Sequence, residues 1–516
     1  MPDSIYKTFI KSKNSSIIPQ LQNGKTLESK YNPQKESLKI CEDLKSRLIQ
    51  NNRGTKAFNE KDFYFFIVLG ISSGILIQEI ANKYPNCRIL GIERNEEDLL
   101  FLQNSTIIQE LKKNERIIFC DIHNLAETLT SFYLPAKYKK PEIVELKAWL
   151  LENSDKVEQI QSQINKGVRI ISADYSVQAH FGKIWMHNIL GNLKNLSTFI
   201  IDDKKKTELS TIIDRNKTAL IVAAGPSLEN KIAEINKNRH KYFIISTDTG
   251  SKILEGKSII SDAVISIDGQ NISYNHFFGK IHKSCLYFFD LCSSPSAAEF
   301  VSKNGGNLHY FTSGHPFAEL ACNFNRNSFP HIFSGAGTVT IAAVDLAEKL
   351  GFSQIKVVGA DFAYSKGKAY ARGTYLEDIY SKKQSKIETI EKKYDNLLFR
   401  TPLLYAENKI TTEILNTYKT SFLEYIKVHN FNYEIKDNEY FLWKKNNVKE
   451  KIKDCQEFPF KAFLEYCAKC SLKDLEIALL PYVAFLKNAG KEKGDYYLYL
   501  EEAKNFINDY NERNEK

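Results

Sequence analysis

Residues 1 to about 60 carry no sustained apolar periodicity. They include the polar run SKYNPQKES at 29–37 and read as a surface arm leading into a helix. Apolar positions then become continuous in FYFFIVLGISSGILIQEIANKYPNCRILGIERN, residues 63–95. The pattern predicts a strand ending at Gly70, a Gly-Ser turn to Gly74, a helix, and a second strand ending at Glu93. RIIFCDIHN, 116–124, supplies a further strand. Between 136 and 215 aromatic and aliphatic residues recur at helical spacing, as in HFGKIWMHNIL, so His180 and His187 read as packing residues. From 217 to 385 the chain alternates short apolar runs with helical segments: TALIVAA, YFIISTD, DAVISID, CLYFFD, LHYFT and IKVVGAD. These runs are unbroken rather than alternating, as expected of parallel strands buried on both faces. Beyond 386 the sequence turns helical and rich in Lys, Glu and Tyr.

The expected organisation is therefore an α/β chain. An arm (1–60) precedes a Rossmann-like N-terminal domain (61–135), a helical connector (136–215), a central doubly wound α/β domain (216–385) and a helical C-terminal domain (386–516). In the first of these domains the glycines are Gly70 and Gly74, not at the spacing of a dinucleotide fingerprint, and a sheet without a ligand fits as well as a working one.

The central strands end in small or polar residues, where open α/β sheets bind ligands. TALIVAAGPSLENKI (218–232) stops at Gly225-Pro226-Ser227 and passes into a helix-compatible segment with Glu229. Such a turn aims backbone N–H groups at an anion, commonly a phosphate. The following strands end at Asp248, at Asp268, and at Gly359 with Asp361. Between the last two, Ser334-Gly335-Ala336-Gly337-Thr338 opens an amphipathic helix and offers a second anion-receiving N-terminus. No Walker lysine follows either turn, and neither a nucleophile elbow nor a zinc-protease motif occurs. Chemistry must come from positioned charges and hydrogen bonds.

Composition narrows this picture only a little. The 516 residues are 43% hydrophobic and 26% charged with a net charge of +9, carried by dispersed lysines and by no block suited to nucleic acid. Nine cysteines are scattered, and the one close pair, Cys467 and Cys470, lacks the partners a zinc site needs, so reduced thiols and no metal are expected. The N-terminus has no apolar signal region, and the longest apolar run, 63–77, is broken by Gly and Ser and too short to span a bilayer. A cytoplasmic protein without a membrane span is expected.

AAGPSLEN, ISTDTGSKIL, SDAVISIDGQ and SGAGTVTIAAVDLAEKLGFSQIKVVGADFAYSKGKAYARGT, in that order, resemble the motility accessory factor glycosyltransferases and their MptE-like domain. The 29–37 arm and the FIVLGISSGILI…GIERN unit are similar to that family's N-terminal domain, so the resemblance covers most of residues 25–385. The central block also resembles bacterial sialyltransferases, which implies a GT-A/sialyltransferase-like fold for it. The implied activity is transfer of a nonulosonic acid (pseudaminic, legionaminic or sialic-type) from its CMP-activated donor to Ser/Thr hydroxyls of flagellin, in the cytoplasm. Carried over, Gly225, Pro226 and Ser227 would hold the phosphate, and Asp248 and Asp268 would face ribose and cytosine. Ser334, Gly335, Gly337 and Thr338 would sit by the donor, Gly359 and Asp361 would close the pocket, and Tyr364 and Tyr370 would meet the departing phosphate. This chain has Asp268-Gly269 where the family often shows Asp-Pro, and the sialyltransferase base histidine has no counterpart. His315 in TSGHPF, with His331 or an Asp as substitutes, is the expected base.

The runner-up from the same domain class is a hydroxymethyl-dihydropterin pyrophosphokinase using ATP, with Mg²⁺ at Asp248 and Asp268. A third reading is a scaffold that binds flagellin or a chaperone. A homo-oligomer is compatible with all three.

Overall fold

The computed structural model describes residues 4–51, 58–198, 212–279, 281–335, 337–365, 367–406, 409–444, 457–490 and 495–515. Cys455, Ala336 and Lys366 lie outside them. The chain divides into two compact units, residues 1–182 with 480–503, and residues 183–479 with 504–516.

In the first unit the segment expected as a surface arm belongs to the core. It forms an antiparallel pair, β1 (Tyr6–Lys11) and β2 (Ile17–Leu21), followed by the helix Pro33–Asn51. Tyr6, Leu21, Cys41 and Leu44 are buried against the sheet. That sheet holds β3 (Phe65–Leu69), β4 (Arg88–Glu93), β5 (Ile117–Asp121) and β6 (Glu142–Glu145), all parallel, in the order β5-β4-β3-β6. Every residue of β3 is buried, as its unbroken apolar run requires. The order reverses between β3 and β6, where such sheets seat a nucleotide.

Here the seat is filled from within. Glu28, buried, accepts from Ser72 Oγ (2.8 Å), Ser73 N (3.1 Å) and Ser73 Oγ (2.7 Å) of the Gly-Ser turn. Glu93, at the end of β4, accepts from Ile71 N (2.8 Å), Ser72 N (3.2 Å), Tyr6 Oη (3.0 Å) and Trp149 Nε1 (2.8 Å). The N–H groups that a phosphate would need are bonded to the chain's own carboxylates.

The second unit is built on eight strands: β7 (Thr218–Val222), β8 (Tyr242–Thr247), β9 (Ala263–Ser266), β10 (Leu286–Asp290), β11 (Asn307–Phe311) and β12 (Gln354–Val358), then β15 (Asn432–Lys436) and β16 (Glu439–Trp443). The order is β11-β10-β9-β8-β7-β12-β16-β15. The first six are parallel, as their apolar runs predict. The chain winds outward from β7 to β11 and returns to β12 on the other side of β7, so the sheet is doubly wound with its switch point between β7 and β12.

The C-terminal segment is helical but also contributes strands. β13 (Leu404–Ala406) and β14 (Lys409–Thr411) form a separate ribbon, while β15 and β16 add antiparallel to β12. The β15–β16 turn is Asp437-Asn438, with φ of 52° and 62°, a two-residue loop in which both central residues are left-handed. The eight described cysteines are free. Among the described residues no helix is long and apolar enough to cross a membrane.

Candidate functional site at the carboxyl edge of the second sheet

At the switch point the ends of β7 and β12 are locked together. Gly225 N–H donates to Gly359 O (2.8 Å) and Ser227 N–H to Asp361 Oδ2 (2.8 Å). Added to Gly225, a Cβ would lie 2.4 Å from Gly359 O and 2.6 Å from Asp361 Oδ2; added to Gly359, at φ 71°, it would lie 2.3 Å from Ala223 O. Both glycines are needed for the approach of two backbones.

This corrects the reading of the Gly-Pro-Ser turn as the phosphate holder. Pro226 has no N–H, and the N–H groups of Gly225 and Ser227 are taken, so the anion at the turn is Asp361. Nor is a capped helix formed at once: Pro226–Asn230 is a single 3-10 stretch and Ile232–Lys237 a short helix. Asp361 Oδ1 is enclosed and has no hydrogen-bond partner among the described residues.

Along the same edge stand three more carboxylates. Asp248 opens the helix Asp248–Glu255, is buried, and accepts from Ser266 Oγ (2.8 Å) and Thr249 N (2.7 Å). Asp268, after β9, accepts from Gln270 N (2.9 Å). Burial raises its carboxyl above the ordinary range, Asp248 adds to the rise, and the Gln270 N–H and His276 oppose it. Asp290 ends β10, fully buried and also raised by burial, with Oδ1 accepting from Cys292 N (2.6 Å).

A strap, residues 364–365 and 367–373, is pinned over the switch point. Tyr364 N–H donates to Ile410 O (2.7 Å) and Ala371 N–H to Ala224 O (2.9 Å). Glu229 accepts from Arg372 N (2.9 Å) and Lys368 Nζ (2.9 Å). Burial would raise the Glu229 carboxyl, but these donors hold it below its usual value. Tyr370 is 40% exposed as a whole, but loss of water around its hydroxyl first, then Tyr364, Asp248 and Asp268, push its phenol up. Tyr375, at the start of the helix Tyr375–Lys382, is pushed to about 12 by burial and by Tyr370, Asp268 and Asp248. The ring of His276 meets Tyr375 edge-on, centroids 4.5 Å apart. The edge thus gathers Asp248, Asp268, Tyr364 and Tyr370, and adds Tyr375 and His276, which sequence reasoning missed.

Ser334, Gly335, Gly337 and Thr338 head the helix Val339–Lys349, which packs against β7, β8 and β9 and leads directly into β12. It therefore runs antiparallel to the strands, with its N-terminus at their carboxyl edge. The N–H groups of Gly337 and Thr338 both donate to Ser334 O, at 3.2 and 3.1 Å.

His315 is corrected as the base. It follows β11, four strands from β7 and so about 19 Å away along the sheet. Its Nδ1 caps the helix Pro316–Phe324 by accepting from Phe317 N (3.2 Å), and its ring packs edge-on against Trp185. Burial lowers its pKa to about 3, too weak a base for work near neutrality. His331 pairs with Glu319 at 3.3 Å and His429 with Glu348 at 2.9 Å. Asp345, Glu348 and His429 present ligand atoms within 4.8 Å of one another, but Lys349 and Lys444 already neutralise the two carboxylates.

Two asparagines on the helix Val157–Thr198 set the loops of this edge. Asn188 Nδ2 donates to Gly269 O and Cys292 O, both at 2.8 Å. One turn on, Asn192 Nδ2 donates to Leu291 O and Ser293 O, both at 2.9 Å. An Asn188→Leu variant strands two buried carbonyls and is expected to lose about 2 kcal/mol in urea denaturation. An unchanged midpoint would show that the loops hold themselves.

Residues 187–367 match the family model described as 6-hydroxymethylpterin diphosphokinase MptE-like. Two uncharacterized proteins of Treponema pallidum (strain Nichols) are similar, one 40% identical over 138 residues (26% of this chain, 49% of that protein) and one 38% identical over 128 residues (25% and 56%). The chain thus spans about half the length of the curated relatives it matches. A solved structure, the Maf glycosyltransferase from Magnetospirillum magneticum AMB-1, aligns with 98% of this chain and 89% of its own, at 12% identity and a TM-score of 0.47. The matched residues 187–367 include the ends of β7 and β12 at the switch point and the carboxylates Asp248, Asp268, Asp290 and Asp361.

Proposed function

We propose that the second unit transfers a nonulosonic acid from its CMP-activated form to Ser/Thr hydroxyls of flagellin, in the cytoplasm. The observation that supports this reading is the strap, pinned at Ala371 and Arg372, which brings Tyr370 within electrostatic reach of Asp248 and Asp268. As CMP leaves, negative charge develops on its phosphate, and a phenol whose ionisation the neighbouring carboxylates disfavour is a donor for that charge. Tyr364, also raised by burial, is a second donor. The head of the helix Val339–Lys349 adds a favourable dipole. Asp248 and Asp268 suit the ribose hydroxyls and the cytosine amino group as acceptors. The Gly225–Ser227 turn acts as the floor of the crevice, closed by Gly359 and Asp361. With the leaving charge met by hydrogen bonds, the transfer is metal-independent or only weakly aided by Mg²⁺.

Tyr370→Phe is expected to lower kcat about 10²-fold with the donor KM nearly unchanged, the loss expected for one oxyanion donor. A variant with full kcat would remove Tyr370 from the reaction. The reading as a whole is tested by thermal shift with CMP, CTP, ATP and GTP, with and without Mg²⁺, and by the mass of flagellin from cells lacking the gene. CMP-selective stabilisation and a lighter flagellin are expected.

A second reading, an MptE-like diphosphokinase using ATP and Mg²⁺, is favoured by the family description and by the proximity of Asp248 and Asp268. Stabilisation by ATP only with Mg²⁺ would select it, and no response to any nucleotide would leave the scaffold reading.

A further inference from the structure

The transfer needs a group to take the acceptor's proton, and the histidine expected to do so is a buried helix cap. The other histidines on the strands and loops of the second unit stand apart from this edge or against other groups, and His240 is exposed immediately before β8, at the amino edge. His331 and His429 lie against Glu319 and Glu348. His309 stacks on Phe288 within the sheet, and His282 lies 4.0 Å from Glu255. His276 differs. It ends the 3-10 turn Asn271–His276 that follows Asp268, and it is half-buried. Its Nδ1 is enclosed and without a hydrogen-bond partner among the described residues. It is close enough to Asp268 to hold down that carboxyl, and its ring abuts Tyr375, the neighbour of Tyr370.

Resting on the glycosyl-transfer reading, we propose that His276 is the general base of this site, with Asp268 stabilising the imidazolium it becomes. The bond from the anomeric carbon to the phosphate oxygen breaks, and its electron pair leaves on CMP, which Tyr370 stabilises by hydrogen bonding. A bond from that carbon to the acceptor oxygen forms, and the acceptor's proton passes to the His276 imidazole, which then returns it to solvent. An imidazole edge-on to a tyrosine ring and within electrostatic reach of a carboxylate is suited to this as a proton acceptor.

The titratable groups lining the His276 side of the turn are Glu255, His282, Cys285, Tyr287 and Tyr375, with Asp268 before it; the helices packed on the turn also carry Asp248, Lys252, Glu299 and Lys303. His276 and His282 both line the small cavity behind the turn, with Glu255 and Cys285.

The test uses the full chain, its CMP-sugar donor and flagellin. His276→Ala and His276→Gln are expected to bind CMP with the wild-type thermal shift and donor KM. They are expected to lose about 10²–10⁴-fold in kcat, to lose the ascending limb of the pH–rate profile, and to recover rate on adding imidazole to the alanine variant. Wild-type kcat and pH profile in both variants, with CMP binding intact, would overturn the assignment while leaving the transfer reading standing. A wild-type chain that neither binds CMP nor modifies flagellin would overturn that reading and the assignment with it. Loss of CMP binding in both variants would also count against the base role, since it would make His276 a donor-binding residue.

Discussion

Gly225→Val is expected to abolish binding of the nucleotide-sugar and to lower the stability of the second unit by about 3 kcal/mol or more, the upper range for overpacking. The cause is steric. Its first added carbon would stand 2.4 Å from Gly359 O and 2.6 Å from Asp361 Oδ2, and the listening neighbours are backbone and a bonded carboxylate, neither of which yields cheaply. Relief requires β7 and β12 to part at the switch point, which also breaks the Gly225–Gly359 and Ser227–Asp361 hydrogen bonds. The strap is then lost from its seat, because Ala371 is bonded to Ala224 immediately before the altered turn. Ser227→Ala is the contrasting control. It removes a hydroxyl but keeps the N–H that Asp361 accepts, so the fold and CMP stabilisation are expected to survive. Calorimetry and CMP titration of both variants check this. A valine variant that still binds CMP would show that the donor does not use this crevice.

The framework of that crevice was legible because its causes are local. Unbroken apolar runs marked β7 to β12 as parallel, and each run stopped at the residue that the sheet places on its carboxyl edge, Asp248 and Asp361 among them. What the sequence hid depends on distant pairing. Asp361 meets Ser227 across 134 positions, and nothing in Gly-Pro-Ser announces that its N–H groups are already claimed. Asn188 and Asn192 lay inside a helical pattern and looked like ordinary interruptions of an apolar face. His276 sits in a polar turn, and only the return of the chain to Tyr375 gives it neighbours. β15 escapes the sequence for another reason: all its residues are exposed, so it has no apolar pattern, and its turn, Asp437-Asn438, lacks the glycine of the strongest hairpin signals. At the other end, Tyr6 and Glu28 entered the core of the first unit from a segment whose polarity suggested only surface.

Glu28 and Glu93 make the first unit sensitive to pH. Burial raises both carboxyls from 4.5 to about 7, with Asp98 adding to the rise at Glu93, although serine, backbone and tryptophan donors partly offset it. With folded pKa values above the unfolded ones, the native unit holds these protons more tightly. Their contribution is fully present below about pH 4.5 and is lost as pH rises through 7, at a cost near ~3 kcal/mol for each carboxyl. Glu28→Gln keeps the shape and can donate to Ser73 Oγ, so it is expected to remove its share of this dependence and to gain stability over wild type at pH 8 but not at pH 5. Glu28→Ala, by contrast, strands the Ser72 and Ser73 donors and is expected to be less stable at both. Hydrogen exchange at Ile71, Ser72 and Ser73 reads the effect at the turn itself, and parallel pH profiles for wild type and the glutamine variant would sink it. The same measurement bears on whether this sheet takes a nucleotide. With Glu28 and Glu93 already bonded to the turn, added nucleotides are expected to leave those amides no better protected, because the place of the phosphate is held by a carboxylate tethered to the chain.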